Sequence, residues 1–261
     1  MKKPKFKMTR KVFAYPYVLF MLIFVVLPSV LIFVNAFLSD GALTFDNFVA
    51  FVTEGDNIIV LWNSLLVGII TTFLCLLIGY PVAYLLSKKK NGGMLVLIFV
   101  LPMWVNFLLR TLASRAIFDA LGLRLGLGTV LIGMVYNYLP YMIMPLHTTI
   151  SSIDKSYMEA AEDLGADKMT VFLKTVLPLS LPGIMSGITM VFIPTISTFA
   201  ISQLLSDSMI SLFGDSIQLK FHNNMYGVGS VMSLVMLVLV LLSNWLMSRF
   251  DGNKSVRRNV W

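Results

Sequence analysis

Between Ala14 and Leu38 the chain carries no charged side chain, and long apolar runs recur near 60–87, 94–113, 129–150, 180–205 and 228–250. A helix needs about 20 apolar residues to cross the hydrocarbon core of a bilayer. Inside that core no water is available to backbone N–H and C=O groups, so only helices and closed barrels can span it. Continuous apolar runs punctuated by proline predict the helical solution: an all-α, polytopic protein with six transmembrane helices. A mean hydropathy of +0.85 and a charged fraction of 13% lie outside the range of soluble domains. The 261 residues are therefore read as a single transmembrane domain, 1–261. The first run is expected to be a retained span, because it is longer than the roughly 7–15 apolar residues of a signal peptide.

Charge sets the expected orientation. Tails at 1–13 and beyond residue 248, the turn at 88–93 and the stretch at 151–178 hold 16 of the 20 Lys and Arg residues. Lys2, Lys3, Lys5, Lys7, Arg10 and Lys11 supply six of them. Arg110, Arg115, Arg124 and Lys220 fall at or near the other face, beside Asp40, Asp46, Glu54, Asp56, Asp119, Asp207 and Asp215. Lys and Arg accumulate in cytoplasmic loops, so both termini and the 151–178 stretch are expected in the cytoplasm. The basic isoelectric point near 9.5 thus reports membrane topology, and no nucleic-acid partner is implied.

Several kinds of chemistry lack their residues. Cys75 is the single cysteine and sits in an apolar run, which fits a small buried hydrophobe. His147 and His222 are far apart and belong to no HExxH pattern, so no metal site is expected. There is no G-x-x-x-x-G-K-[ST] loop to cradle nucleotide phosphates and no G-x-S-x-G elbow. An ion-coupled secondary transporter would place ionisable groups at mid-membrane and often repeats its halves, and neither sign is read here. Pro28, Pro81, Pro102, Pro140, Pro145, Pro182 and Pro194 interrupt the spans, as kinks in a bundle or as breaks lining a pathway.

One polar stretch stands out between the fourth and fifth runs, "SYMEAAEDLGADKMTVFLKTVLPLSLPG" at 156–183. Ser156 and Glu159 have the Ser-x-x-Glu spacing of a capping box, which predicts a helix start. Gly165 is placed to end that helix, and Asp167 to cap a second one running toward Pro178. Tyr157, Met158, Ala160, Ala161 and Leu164 give the first helix an apolar surface beside Glu159, Glu162 and Asp163. So short a helix needs a surface to pack on, either a partner protein or the ends of its own bundle.

"EAAEDLG" followed after nine residues by Thr175-Val176-Leu177-Pro178 resembles the EAA motif of ABC importer permeases, with Thr175 where isoleucine is usual. "LPMWVNFLLRT" at 101–111, "YNYLPYMIMPLHTTI" at 136–150 and "IQLKF" at 217–221 are similar to the B-type permease subunit of spermidine/putrescine importers. The resemblance implies the type I importer permease fold in a bacterial cytoplasmic or inner membrane. It also implies a second six-span permease (a heterodimer), two cytoplasmic ATPase subunits that use ATP and Mg, and an extracytoplasmic substrate-binding protein. The chain itself is then no enzyme and binds no cofactor. The helix bearing Tyr157, Met158, Glu159, Ala160, Ala161, Asp163, Leu164 and Gly165 would couple to the ATPase. An importer of another small solute is the alternative.

A polyamine is a flexible polycation and favours acids and aromatic faces along its route. Trp104, Asn106, Tyr138, Asp119, Gln203 and Asp207 are the pathway candidates, with Tyr136 and Tyr141 offering further faces. Arg110 would repel such a solute, so a structural or gating pair with an acid is expected of it, with Asp119 or with one on the partner permease.

Overall fold

A computed structural model describes residues 14–39, 41–53 and 55–250; the two charged tails, Asp40 and Glu54 lie outside the described residues. Four helices are long and apolar enough to cross a membrane unbroken: α1 (Tyr15–Phe37), α3 (Asn57–Ser87), α6 (Leu127–Ser151) and the last, Tyr226–Arg249. Among the described residues two bent pairs bring the candidate spans to six if each pair is counted as one broken span. The first pair is α4 (Gly92–Trp104) and α5 (Phe107–Ala120), bent by 91°. The second is α8 (Lys168–Leu179) and α9 (Leu181–Ser197), bent by 62°. Between α6 and α8 lies the short polar helix α7 (Lys155–Asp163). Three further short helices are α2 (Asp46–Thr53), α10 (Ile201–Leu205) and α11 (Phe213–His222), and α12 (Tyr226–Phe250) is the last span. A two-residue antiparallel ribbon pairs β1 (Leu38–Ser39) with β2 (Ala42–Leu43).

Proline chemistry explains the local irregularities. Pro28 and Pro178 each follow a Val-Leu pair and cannot donate to the carbonyl four residues back. In both places the helix widens to a π-turn, at Leu22–Val26 and at Phe172–Val176, and the Leu27 and Leu177 amides reach five residues back to Leu22 and Phe172. Pro102 tightens the end of α4 into a 3-10 turn instead.

The centre is built from α3, α6 and α9, which approach closely because small residues lie at their contacts. A Cβ added to Gly187 would sit 2.6 Å from the Met142 sulfur, and one on Gly183 would sit 3.0 Å from the Pro145 carbonyl oxygen. Around these glycines Cys75, Ala83, Met142, Ile143, Leu146 and Val191 are fully buried. A second cluster, at the other end of the same helices, joins Val130 and Met134 to Leu205 and Leu212. A third packs Ala36, Phe51 and Phe213 against Val231 and Met232 of α12. By contrast, the apolar window of α1 has no buried residue.

Two of the expected spans are interrupted helices. The run at 94–113 is not one helix: Val105 and Asn106 adopt extended backbone, with ψ of 138° and 135°, and turn the chain sharply. The Asn106 side chain then accepts from the Leu108 amide at 2.8 Å and starts α5 afresh. The run at 180–205 stops at Ser197, where Thr198 turns extended and Ala200 adopts a left-handed φ of 69° before α10. Both interruptions occur where apolar composition alone gives no warning.

Freed backbone groups at the second break are taken up by one side chain. Asp215, only 1% exposed, accepts from the Ala200 amide at 2.8 Å, the Leu212 amide at 2.9 Å and the Ser202 hydroxyl. Ser64 on α3 accepts from the next amide, Phe213. Replacing Asp215 by alanine strands three buried donors, each costing about 1–3 kcal/mol. Asp215→Ala is expected to lower the unfolding temperature in detergent far more than Asp215→Asn, which keeps one acceptor; equal melting of the two variants would contradict this role.

Candidate functional site

The polar insert forms two short helices joined at a corner. Asp154, and not Ser156, caps α7: its carboxylate accepts from the Ser156 amide at 3.0 Å. The helix therefore starts one residue before Ser156, which leaves the Ser-x-x-Glu pattern inside the first turn. At the other end the Gly165 amide reaches Glu162 at 2.8 Å and the Ala166 amide reaches Ala161 at 3.1 Å. This is the Schellman pairing that satisfies terminal carbonyls, and it needs the left-handed φ of 85° found at Gly165. Asp167 accepts from the Thr170 hydroxyl and amide and caps α8. The Ser156 amide holds the Asp154 carboxyl below the usual carboxylate range, and the Thr170 hydroxyl does the same for Asp167. Both caps are thus complete at neutral pH and are lost only as pH falls through those lowered values.

The apolar residues of α7 divide between two faces. Met158 and Ala161 are partly buried, with Met158 packed against the core cluster of α3, α6 and α9. Tyr157, Ala160 and Leu164, spaced on one helical stripe, are exposed, Leu164 to 89%. Glu159 and Asp163 flank them and are exposed too. The helix therefore rests on its own bundle through one face and presents a second apolar stripe that nothing in the described residues covers.

From this corner a continuous mechanical path leads into the membrane. Phe172 on α8 stacks edge-on against Tyr80 and Tyr84 of α3, at 5.8 Å and 5.1 Å between ring centres. Ser180, fully buried at the bend into α9, donates to the Leu177 carbonyl at 2.9 Å and shares a 2.8 Å hydrogen bond with the Tyr80 hydroxyl. The 62° bend is thus held by α3 as well as by its own backbone.

A cavity of about 240 Å3 opens where the two broken spans meet α6. Phe107 and Arg110 enter it from α5, Asn137, Tyr138 and Tyr141 from α6, and Thr198 from the break after α9. Asn137 is about 15 Å from the first residue of α6 and about 21 Å from the last, at 1.5 Å per residue, which puts the cavity near the middle of that helix. Broken helices that converge at mid-depth are a common way to build a solute site in a membrane. Asn137 is 1% exposed; its amide donates to the Gly133 carbonyl at 2.8 Å, and its carbonyl oxygen has no partner among the described residues. Arg110 is 8% exposed, and its Nε and Nη1 also lack partners there.

The pathway candidates divide accordingly. Tyr138 lines the cavity, and its hydroxyl lies 3.4 Å from the Pro194 carbonyl. Trp104 does not line it, being 84% exposed at the end of α4, and Asn106 is occupied as a helix cap. Gln203 does not line it, although its helix α10 borders the cavity through Ile201. Asp119 and Asp207 both flank Arg115, which is 3.7 Å from Asp119, in direct contact with Asp207, and donates to the Leu204 carbonyl at 2.8 Å. The expected pairing of Arg110 with Asp119 is therefore corrected: one helical turn along, Arg115 takes the acids. Asn137, Thr198 and Phe107 also line the cavity, and sequence reasoning missed all three. Asn137 was open to detection as a polar side chain in the middle of an apolar run.

With this geometry in place, similarity to known proteins can be read. Residues 7–256 match the family described as binding-protein-dependent transport system inner membrane component. The spermidine/putrescine transport system permease protein PotB of Haemophilus influenzae is 33% identical, over 92% of this chain and 92% of that one. Its Escherichia coli counterpart is 31% identical, over 90% and 96%. Among solved structures, a bacterial alginate ABC transporter in complex with an alginate-bound periplasmic protein superposes with a TM-score of 0.67 at 16% identity, covering 93% of this chain and 94% of that one. The MetNI methionine transporter gives 0.58 at 19%, covering 73% and 92%. The structural likeness establishes the fold, and the sequence match the lineage: the chain belongs to the binding-protein-dependent transport system inner membrane component family, as the permease subunit of an ABC importer.

Proposed function

We propose that this permease imports polyamines, forming half of a translocation pathway with a second six-span permease. Two cytoplasmic ATPases hydrolyse ATP with Mg, an extracytoplasmic binding protein delivers the solute, and both termini and α7 face the cytoplasm. What carries the substrate reading is the match, along nine-tenths of the chain, to permeases of spermidine/putrescine systems. What supports the coupling role is the uncovered Tyr157–Ala160–Leu164 stripe of α7 on a two-capped, Gly-cornered support. Closing of the ATPases moves that stripe, and the motion passes through α8 and the Ser180–Tyr80 hydrogen bond to α9, whose far end borders the cavity. Tyr138 and Tyr141 offer aromatic faces to an ammonium group there.

One observation favours a different solute. A buried arginine in the cavity lining suits a carboxylate better than a polycation. Uptake decides between them: cells lacking this chain are expected to lose most radiolabelled spermidine and putrescine uptake and to regain it on complementation. Undiminished polyamine uptake, with loss of a carboxylate-bearing solute instead, would contradict the polyamine reading.

The corner at Gly165 gives a second test. A Cβ there meets no other atom, so the effect of a side chain is confined to the left-handed backbone, about 1–2 kcal/mol of strain. In the reconstituted complex Gly165→Val is expected to leave ATP hydrolysis running while polyamine uptake falls, with Gly165→Ala intermediate. Unchanged uptake in the valine variant would rule out the corner as part of the lever.

A further inference from the structure

Arg110 is the one charged side chain at the cavity, nine-tenths buried, with two N–H groups unpartnered among the described residues. Asp119, the nearest acid in sequence, is held by Arg115, as is Asp207. The same guanidinium also borders a second cavity of about 300 Å3 between α5 and α6, lined by Ser114 and Tyr136. A charge buried to this degree, with no counter-ion among the described residues, acts on ions at close range with less screening by salt than a surface charge. In a membrane pore such a charge excludes small cations, protons included.

We propose that Arg110 seals the resting pathway against cation leak: its buried guanidinium keeps the cavity at positive potential whenever no solute is being moved. The two sides of the cavity then have opposite characters. Arg110 on α5 repels cations, whereas the Tyr138 and Tyr141 rings on α6 attract them. A polyamine passes when the movement of the broken spans draws Arg110 away from that surface. The inference rests on the cavity being part of the import pathway and does not depend on which solute is carried.

The test uses the whole complex, reconstituted into liposomes without ATP, binding protein or polyamine, and reads potassium, proton and chloride flux under an imposed membrane potential. Wild type and Arg110→Lys are expected to be tight. Arg110→Met is expected to conduct potassium and protons faster by about tenfold or more, the scale on which fields in clefts change local ion concentration, with chloride lagging behind. A tight Arg110→Met complex would overturn the proposal, and so would a leak that admits chloride equally, since that is the signature of lost packing. If Arg110→Met does not assemble, Asn137→Asp decides the matter by placing a carboxylate at the same cavity with Arg110 retained: a cation-selective leak supports the seal and a tight membrane overturns it. Because no polyamine is present, failure here leaves the uptake result standing, and failure of uptake leaves this result standing.

Discussion

In hydrocarbon an N–H or C=O without a partner costs several kcal/mol, and every feature of functional interest in this permease depends on how that cost is met. Both broken spans would be untenable in lipid if the groups they free were left open. Asn106 restarts α5, and the Asp215 carboxylate with the Ser64 hydroxyl gathers the amides on either side of α10. At the same end the Thr129 hydroxyl bonds the Leu205 carbonyl at 2.7 Å, tying α6 to the segment beyond the break. Once these bonds are made, the helices can break and leave space between them. The cavity is a product of that satisfaction, and Arg110 and the Asn137 oxygen are exceptions beside it among the described residues.

At the opposite end the same principle applies in a wetter setting. Caps at Asp154 and Asp167 and the Schellman pairing at Gly165 allow helices of a few turns to hold shape where propensity alone would not. Met158 and Phe172 fasten the corner to the bundle, and Ser180 is tied to Tyr80 of α3 beyond it. The two sites are therefore the two ends of one bent element, α8 with α9, which borders the cavity at one end and abuts the short helix at the other.

Much of this was legible in the sequence where one residue type has one physical meaning. Apolar length marked the spans, and the glycine after EAAEDL marked the corner, because only glycine accepts that backbone cheaply. The 91° turn at Val105–Asn106 was not legible, since an extended pair inside an apolar run leaves hydropathy unchanged. Nor was the choice of cap, because Asp154 and Ser156 are both good N-caps two residues apart and only the geometry selects between them. The pairing of Arg115, and not Arg110, with the acids depended on where α10 lies, a tertiary fact with no local signal. Helices α2 and α11 escaped notice because eight to ten residues are too few to register as spans.

The central claim is that α7 presents one face to its own bundle and the other to an ATPase. Cysteines placed singly at Ala160 and Ala161, neighbours in sequence but on different faces, measure it in the assembled complex with a short bifunctional crosslinker. The account predicts strong crosslinking to the ATPase from Ala160→Cys and little from Ala161→Cys. Crosslinking from Ala161→Cys alone, or from neither, would contradict it.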